Sequence, residues 1–232
     1  MIDKILLKAY VLRAMLAWVP LSQHAYVEDV AITETRYESI AGDIAEVAAD
    51  PNEPGLRAAP VDTATTHYTD EEKLVIQQVG NAIQIAAVAS YEGGYQAFVD
   101  SGRCNDPNFK PDGRGSCDGR QAWSIWQIHT MGGIVLTDKE FVGRWYATDL
   151  THVINGPDLI RDRKLAARVA LHMMRYSMNR THSLCLYTGE TIRGAACAPA
   201  TPLANQRWSR ASDWLSHNPW PLKEMDTPAP KT

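Results

Sequence analysis

Of the 27 acidic side chains in this chain of 232 residues, Glu92 has the least ordinary setting. It closes a largely apolar run over 74–91 and stands just before Gly93-Gly94. On a helix, its neighbours three, four and seven residues back are Ala89, Val88 and Ile85, all apolar. The C-terminus of a helix also carries the negative end of its dipole. Both effects favour a carboxyl that keeps its proton, which is the state a general acid needs. Such an acid beside a cleft suits protonation of a glycosidic oxygen. The competing reading is a surface carboxylate at a frayed helix end.

Aromatic and sulfur-bearing residues follow. Trp123, Trp126, Trp145 and Tyr146 gather around the compact segment 122–128, AWSIWQI. Their rings suit the apolar faces of sugars, and equally the packing of a core. His129 follows and can reach a cleft edge. Cys104 and Cys117 bracket one loop, and Cys185 and Cys197 another. Two local bridges are the natural pairing, each closing a loop worth about 3 kcal/mol. Two other pairings, and four free thiols, stay open. The absence of a Cys-x-x-Cys knuckle argues against zinc. Bridges imply an oxidising compartment.

The elements that must position these groups read as helices. Residues 1–21 read as a partly buried N-terminal helix; the alternative is a secretion leader with its apolar region at 14–21 and a cut near Ala25. Charges at Lys4, Lys8 and Arg13 and the proline at 20 leave no membrane span there. Apolar spacing predicts a helix over 33–49, ended by Asp50-Pro51. Thr69-Asp70-Glu71-Glu72 fits a capping box, so the central helix starts there and stops at Gly93-Gly94. Its second half, apolar nearly all round, is expected at the centre of the domain. A loop or small hairpin over 102–119 comes next. One helix is predicted over 157–176, with Leu165, Val169, Met173 and Tyr176 inward and Arg161, Arg163, Lys164 and Arg168 mostly outward. A last helix is predicted over 202–215, then an irregular tail.

Composition sets outer bounds. The chain is 45% apolar and 22% charged, as expected of a chain that packs a core. A net charge of −4, from 23 basic and 27 acidic residues, gives no electrostatic case for nucleic acid as a partner.

Taken in order, Ala89-Ser90-Tyr91-Glu92-Gly93-Gly94, the Cys- and Asp-containing loop, Ser124-Ile125-Trp126-Gln127-Ile128 and Leu186-Tyr187-Thr188-Gly189 resemble the lysozyme-like superfamily. The likeness is greatest to soluble lytic transglycosylases and goose-type lysozymes, and runs over 69–189. It implies an α+β, mainly α fold, with a central buried helix ending at the catalytic Glu and a loop or small hairpin inserted after it. The expected division is a helical extension over 1–68, a catalytic domain over 69–220 and a tail over 221–232.

The resemblance makes Glu92 the acid/base for cutting the MurNAc–GlcNAc bond of peptidoglycan. It makes Gln127, Ser124 and Ile128 cleft residues, with Trp126 beside them, and Tyr187 the group that steadies Glu92 by a hydrogen bond. In the goose-type variant, loop carboxylates position an attacking water. Asp106 and Asp118 are the candidates, with Asp100 and Asp112 competing, and Asp in such loops also makes turns. No metal or organic cofactor is implied. The expected partner is the glycan strand of bacterial peptidoglycan, met in the cell wall or periplasm, by a free or a virion-borne protein. The chain departs from the pattern at Gly93, where Ser is common, at Ser124, where Gly is, and at Thr188, where Asn is. These departures favour the alternative, a non-catalytic lysozyme-like structural or cell-wall-binding protein.

Overall fold

The computed structural model describes residues 2–24, 28–53, 56, 68–109, 121–129, 154–188 and 202–221. Among them are seven α-helices and one two-stranded sheet, so the fold is mainly helical.

The first three long helices each begin where a side chain satisfies orphan N–H groups. Helix α1 (Lys4–Trp18) starts at Asp3, whose carboxylate accepts from the amides of Ile5 and Leu6. It buries Leu7, Val11, Ala14 and Met15, one face at helical spacing. Helix α2 (Val30–Ala48) starts at Asp29 and runs three residues earlier than its apolar spacing predicts. Helix α3 (Asp70–Glu92) has the capping box read from sequence: Thr69 Oγ1 accepts from Glu72 N at 3.2 Å, and Glu72 Oε2 accepts from Thr69 N at 2.7 Å. Every residue from Gln78 to Ser90 is buried. Helices α1 and α2, and later α6 (Arg163–Thr181) and α7 (Pro202–His217), all pack on α3, and α1 and α2 share one hydrophobic core with it.

The helix predicted over 157–176 is two helices, α5 (Gly156–Arg161) and α6 (Arg163–Thr181). Asp162 separates them in an extended conformation, with its carboxylate capping Leu165 N at 2.9 Å. A short acidic side chain offers the backbone this local bond in place of a helical turn. The restart alters which side chains point inward. Arg163, expected outward, reaches Asp43 on α2 and Asp100 on the short helix α4 (Ala97–Asp100). Helix α7 (Pro202–His217) extends two residues beyond its predicted end. No helix among the described residues is long and apolar enough to cross a membrane. Asp112, Cys117, Asp118, Trp145, Tyr146, Gly189, Cys197 and most of the tail lie outside the described residues.

Candidate active site at the end of the central helix

Glu92 owes its place to the way α3 terminates. The amides of Gly93 and Gly94 both donate to Ala89 O, at 3.1 and 3.0 Å. Gly94 then takes a left-handed φ of +55°, which glycine adopts without a Cβ penalty. Tyr95 follows at the same φ, an uncommon conformation for a bulky residue. It is held there by full burial, by its hydroxyl donating to Ala86 O at 2.7 Å, and by Arg36 Nε donating to its carbonyl at 3.0 Å. Gly93 has a different reason. A Cβ on it would lie 2.8 Å from Ile125 O and 2.9 Å from Ile125 Cα. Another backbone thus presses on the helix end, and the Cβ of any side chain at position 93 would collide with Ile125.

That backbone belongs to a hairpin of strands β1 (Ala122–Trp123) and β2 (Ile128–His129), paired Ala122 to His129 and Trp123 to Ile128. Its turn places both Ser124 (φ +60°) and Gln127 (φ +50°) in the left-handed region. The position where the resembled pattern has glycine is therefore one whose backbone suits glycine. Serine fills it here, with Oγ accepting from Trp126 N at 3.3 Å. Gln127 turns its side-chain Nε2 back onto Ser124 O at 3.0 Å.

Two expected cleft residues belong to the core instead. Trp126 is fully buried, with Nε1 donating to Ile85 O at 3.0 Å, so its ring offers no face to a sugar. Ile128 is 1% exposed. Both belong to the hydrophobic core, where such side chains are ordinarily used.

Tyr187 approaches from the turn after α6. Its hydroxyl donates to Trp126 O at 2.7 Å rather than to Glu92. Burial pushes that hydroxyl well above the usual tyrosine range, the Glu92 charge raises it further, and the Arg207 charge lowers it. The helix end, the hairpin and this turn therefore converge, although the steadying bond implied by resemblance is not the one made.

The direct partner of Glu92 is Arg207 on α7, with Nε to Oε1 at 2.7 Å. Both side chains are largely buried, at 17% and 10% exposure. Arg207 Nη1 also donates to Leu203 O at 2.9 Å, and Gln84 Nε2 donates to Arg207 O at 3.3 Å. This corrects the lone carboxyl expected on an apolar face: Ile85, Val88 and Ala89 are indeed fully buried, but a guanidinium from a distant helix meets the acid. One turn along α7, Arg210 donates from Nη1 to Ser90 Oγ at 2.6 Å and lies 3.7 Å from the ring centroid of Tyr91. Sequence reading missed both arginines. Their spacing of three beside Trp208 and Trp214 was the available signal, and it does not say which residues they meet.

The loop carboxylates divide. Asp106 is exposed and accepts from Asn108 N at 2.8 Å, an Asx turn. Asp100 is paired with Arg163. Cys104 and Cys185 are both in disulfides, and their partners lie outside the described residues. Among the described residues no cluster of His, Cys, Asp and Glu is arranged to hold a metal ion. No protein-family model, curated protein or solved structure matches the chain.

Proposed function

We propose that the chain is a peptidoglycan-cleaving glycosidase of the lytic transglycosylase or goose-lysozyme kind, with a lysozyme-like core and Glu92 as its single acid/base. The observation that carries this reading is the convergence of three segments distant in sequence at the end of one buried helix. Glu92, the Ser124–Gln127 turn and Tyr187 meet there, in the order that the sequence resemblance implies. The disulfides at Cys104 and Cys185 are in keeping with action in the cell wall or periplasm, free or carried in a virion.

In this reading the protonated carboxyl of Glu92 gives its proton to the oxygen between MurNAc and GlcNAc, and the C1–O bond breaks. The MurNAc 6-hydroxyl then closes on C1 as the carboxylate takes its proton, leaving a 1,6-anhydro end. Water in place of that hydroxyl leaves a reducing end. For the first step, Glu92 must be released from Arg207 or carry the proton on Oε2.

The Arg207–Glu92 pair also favours a second reading, a non-catalytic protein in which Glu92 anchors α7. Mass spectrometry of purified peptidoglycan, digested by wild type and by Glu92→Gln, separates the two. Fragments lighter than hydrolysis products by one water, made by wild type alone, fit the transglycosylase. Reducing ends fit a lysozyme. No soluble fragments from wild type would overturn catalysis and leave the anchor.

A further inference from the structure

A cavity of about 360 Å³ opens between α1, the end of α3 and α7, one helical turn along α7 from the Glu92–Arg207 pair. Its walls include Trp18, Tyr91, Arg210, Asp213, Trp214 and His217. Two of its three walls, α1 and α7, lie outside the stretch that resembles lysozyme-like proteins. Three observations describe what it suits. First, the rings of Trp18 and Trp214 meet edge to face at 5.8 Å and Tyr91 adds a third, so the apolar part of the wall is rigid. Second, Arg210 is fixed by stacking on Tyr91 and by its bond to Ser90 Oγ. Third, two guanidinium groups share the ring of Tyr91, with Arg207 at 5.4 Å and Arg210 at 3.7 Å, but only Arg207 has a carboxylate. Among the described residues Arg210 has no ion-pair partner, and Asp213 on the same helix does not reach it.

A planar guanidinium held over an aromatic ring and lacking a counter-charge is preorganised for a carboxylate, which it can engage through two N–H groups. The adjoining rings suit a compact body with apolar faces, such as a sugar ring. His217 Nδ1 lies 2.8 Å from Asp213 O, which can only accept, so Nδ1 carries a proton and Nε2 is the ring nitrogen open to a sugar hydroxyl. We propose that this cavity binds a carboxylate-bearing saccharide, with Arg210 on the carboxylate and Trp18 and Trp214 against the sugar. The choice of a sugar rests on the glycan reading above; the choice of a carboxylate does not.

The test compares two probes that differ by one acidic group, N-acetylmuramic acid and N-acetylglucosamine. Each is titrated into the labelled full chain while the tryptophan indole N–H signals are followed by NMR, and the same preparation is assayed on peptidoglycan. The acidic sugar is expected to shift the Trp18 and Trp214 signals with a dissociation constant about tenfold below that of the neutral one, a gain of one charge-assisted contact. Arg210→Gln is expected to erase the difference. Asp213→Asn, an exposed change that leaves the packing alone, is expected to tighten the acidic sugar by about two- to threefold by removing a like charge. Equal binding of the two sugars, or shifts confined to other tryptophans, would overturn the proposal. If such a result came with release of glycan fragments, the Glu92 reading would still stand. Preference for the acidic sugar without any release would support the cavity and overturn the Glu92 reading.

Discussion

Arg207 Nε donates to Glu92 Oε1 at 2.7 Å and so joins α7 to the end of α3. A charge-assisted bond between two largely buried side chains serves position as well as any chemistry. Glutamine at 92 keeps an acceptor for Arg207 but has no proton to give. Glu92→Gln is therefore expected to lower glycan release by about 10²–10⁴-fold, the usual contribution of a general acid. Its loss in urea-unfolding stability is expected to be about 1 kcal/mol. Glu92→Ala, which strands the guanidinium, is expected to lose about 3 kcal/mol. Equal activity in wild type and Glu92→Gln would remove Glu92 from the chemistry.

Gly93 gives a second test, because the resemblance and the packing disagree about it. By resemblance, a serine here would restore a hydroxyl for the sugar. By geometry, its Cβ would sit 2.8 Å from the backbone oxygen of Ile125 and push the hairpin off the helix end. Gly93→Ser and Gly93→Ala are both expected to destabilise by about 1–3 kcal/mol, as overpacking does, and neither to raise activity. Thermal unfolding beside the peptidoglycan assay reads both. A stable and more active serine variant would show that the packing account is wrong.

Tyr187→Phe removes the donor from Trp126 O and leaves that carbonyl unpaired. The expected cost is about 1–3 kcal/mol of stability. Because the hydroxyl bonds the hairpin and not Glu92, glycan release is expected to fall less than about tenfold. Burial and the nearby Glu92 charge hold this hydroxyl well above the usual tyrosine range. The absorbance difference between wild type and variant is therefore expected to show no tyrosinate near pH ~10, where exposed tyrosines ionise. A large loss of release with unchanged stability would place the hydroxyl in the chemistry instead.

How much of this was legible depends on how local the signal was. The capping box at Thr69–Glu72 needs only four consecutive residues, and the helix stop at Gly93-Gly94 needs two, so both could be read directly. The burial of α3 followed from its composition. The break at Asp162 was missed because arginines on either side keep a helical spacing that hides one capping bond. Trp126 was ambiguous, since an indole serves a core or a sugar equally well, and only its bond to Ile85 O decides. The Glu92–Arg207 pair joins residues 115 positions apart, and no periodicity carries such a contact. The charge balance of the site was thus the least readable part of it.

The same limit applies to Glu53, whose partners give the sharpest pH test. It lies 4% exposed after α2 and accepts from His172 Nε2 at 2.8 Å, Arg168 Nε at 3.1 Å and Arg175 Nη2 at 3.4 Å, all on α6. Burial alone would raise this carboxyl. The bond and charge of His172, then the charges of Arg175 and Arg168, outweigh it and hold the group below the usual glutamate range. In the unfolded chain it titrates near pH ~4.3. Above that pH both states are ionised and the cluster contributes fully. As the pH falls below it, the unfolded chain takes up the proton first, and stability drops until the folded carboxyl is protonated too. Glu53→Gln is expected to cost about 3–5 kcal/mol at neutral pH, because it removes a buried carboxylate charge that meets Arg168, His172 and Arg175 together. At pH ~3 the gap between variant and wild type is expected to narrow, since wild type has by then lost part of what the variant lacks. Glu28 is also held below its usual range, by Arg36 and Thr33 against its burial, but it is present in both proteins and cancels in the difference. Urea unfolding of the two proteins at both pH values measures the gap, and a gap that stays constant would show that the Glu53 charge is not what ties α6 to the end of α2.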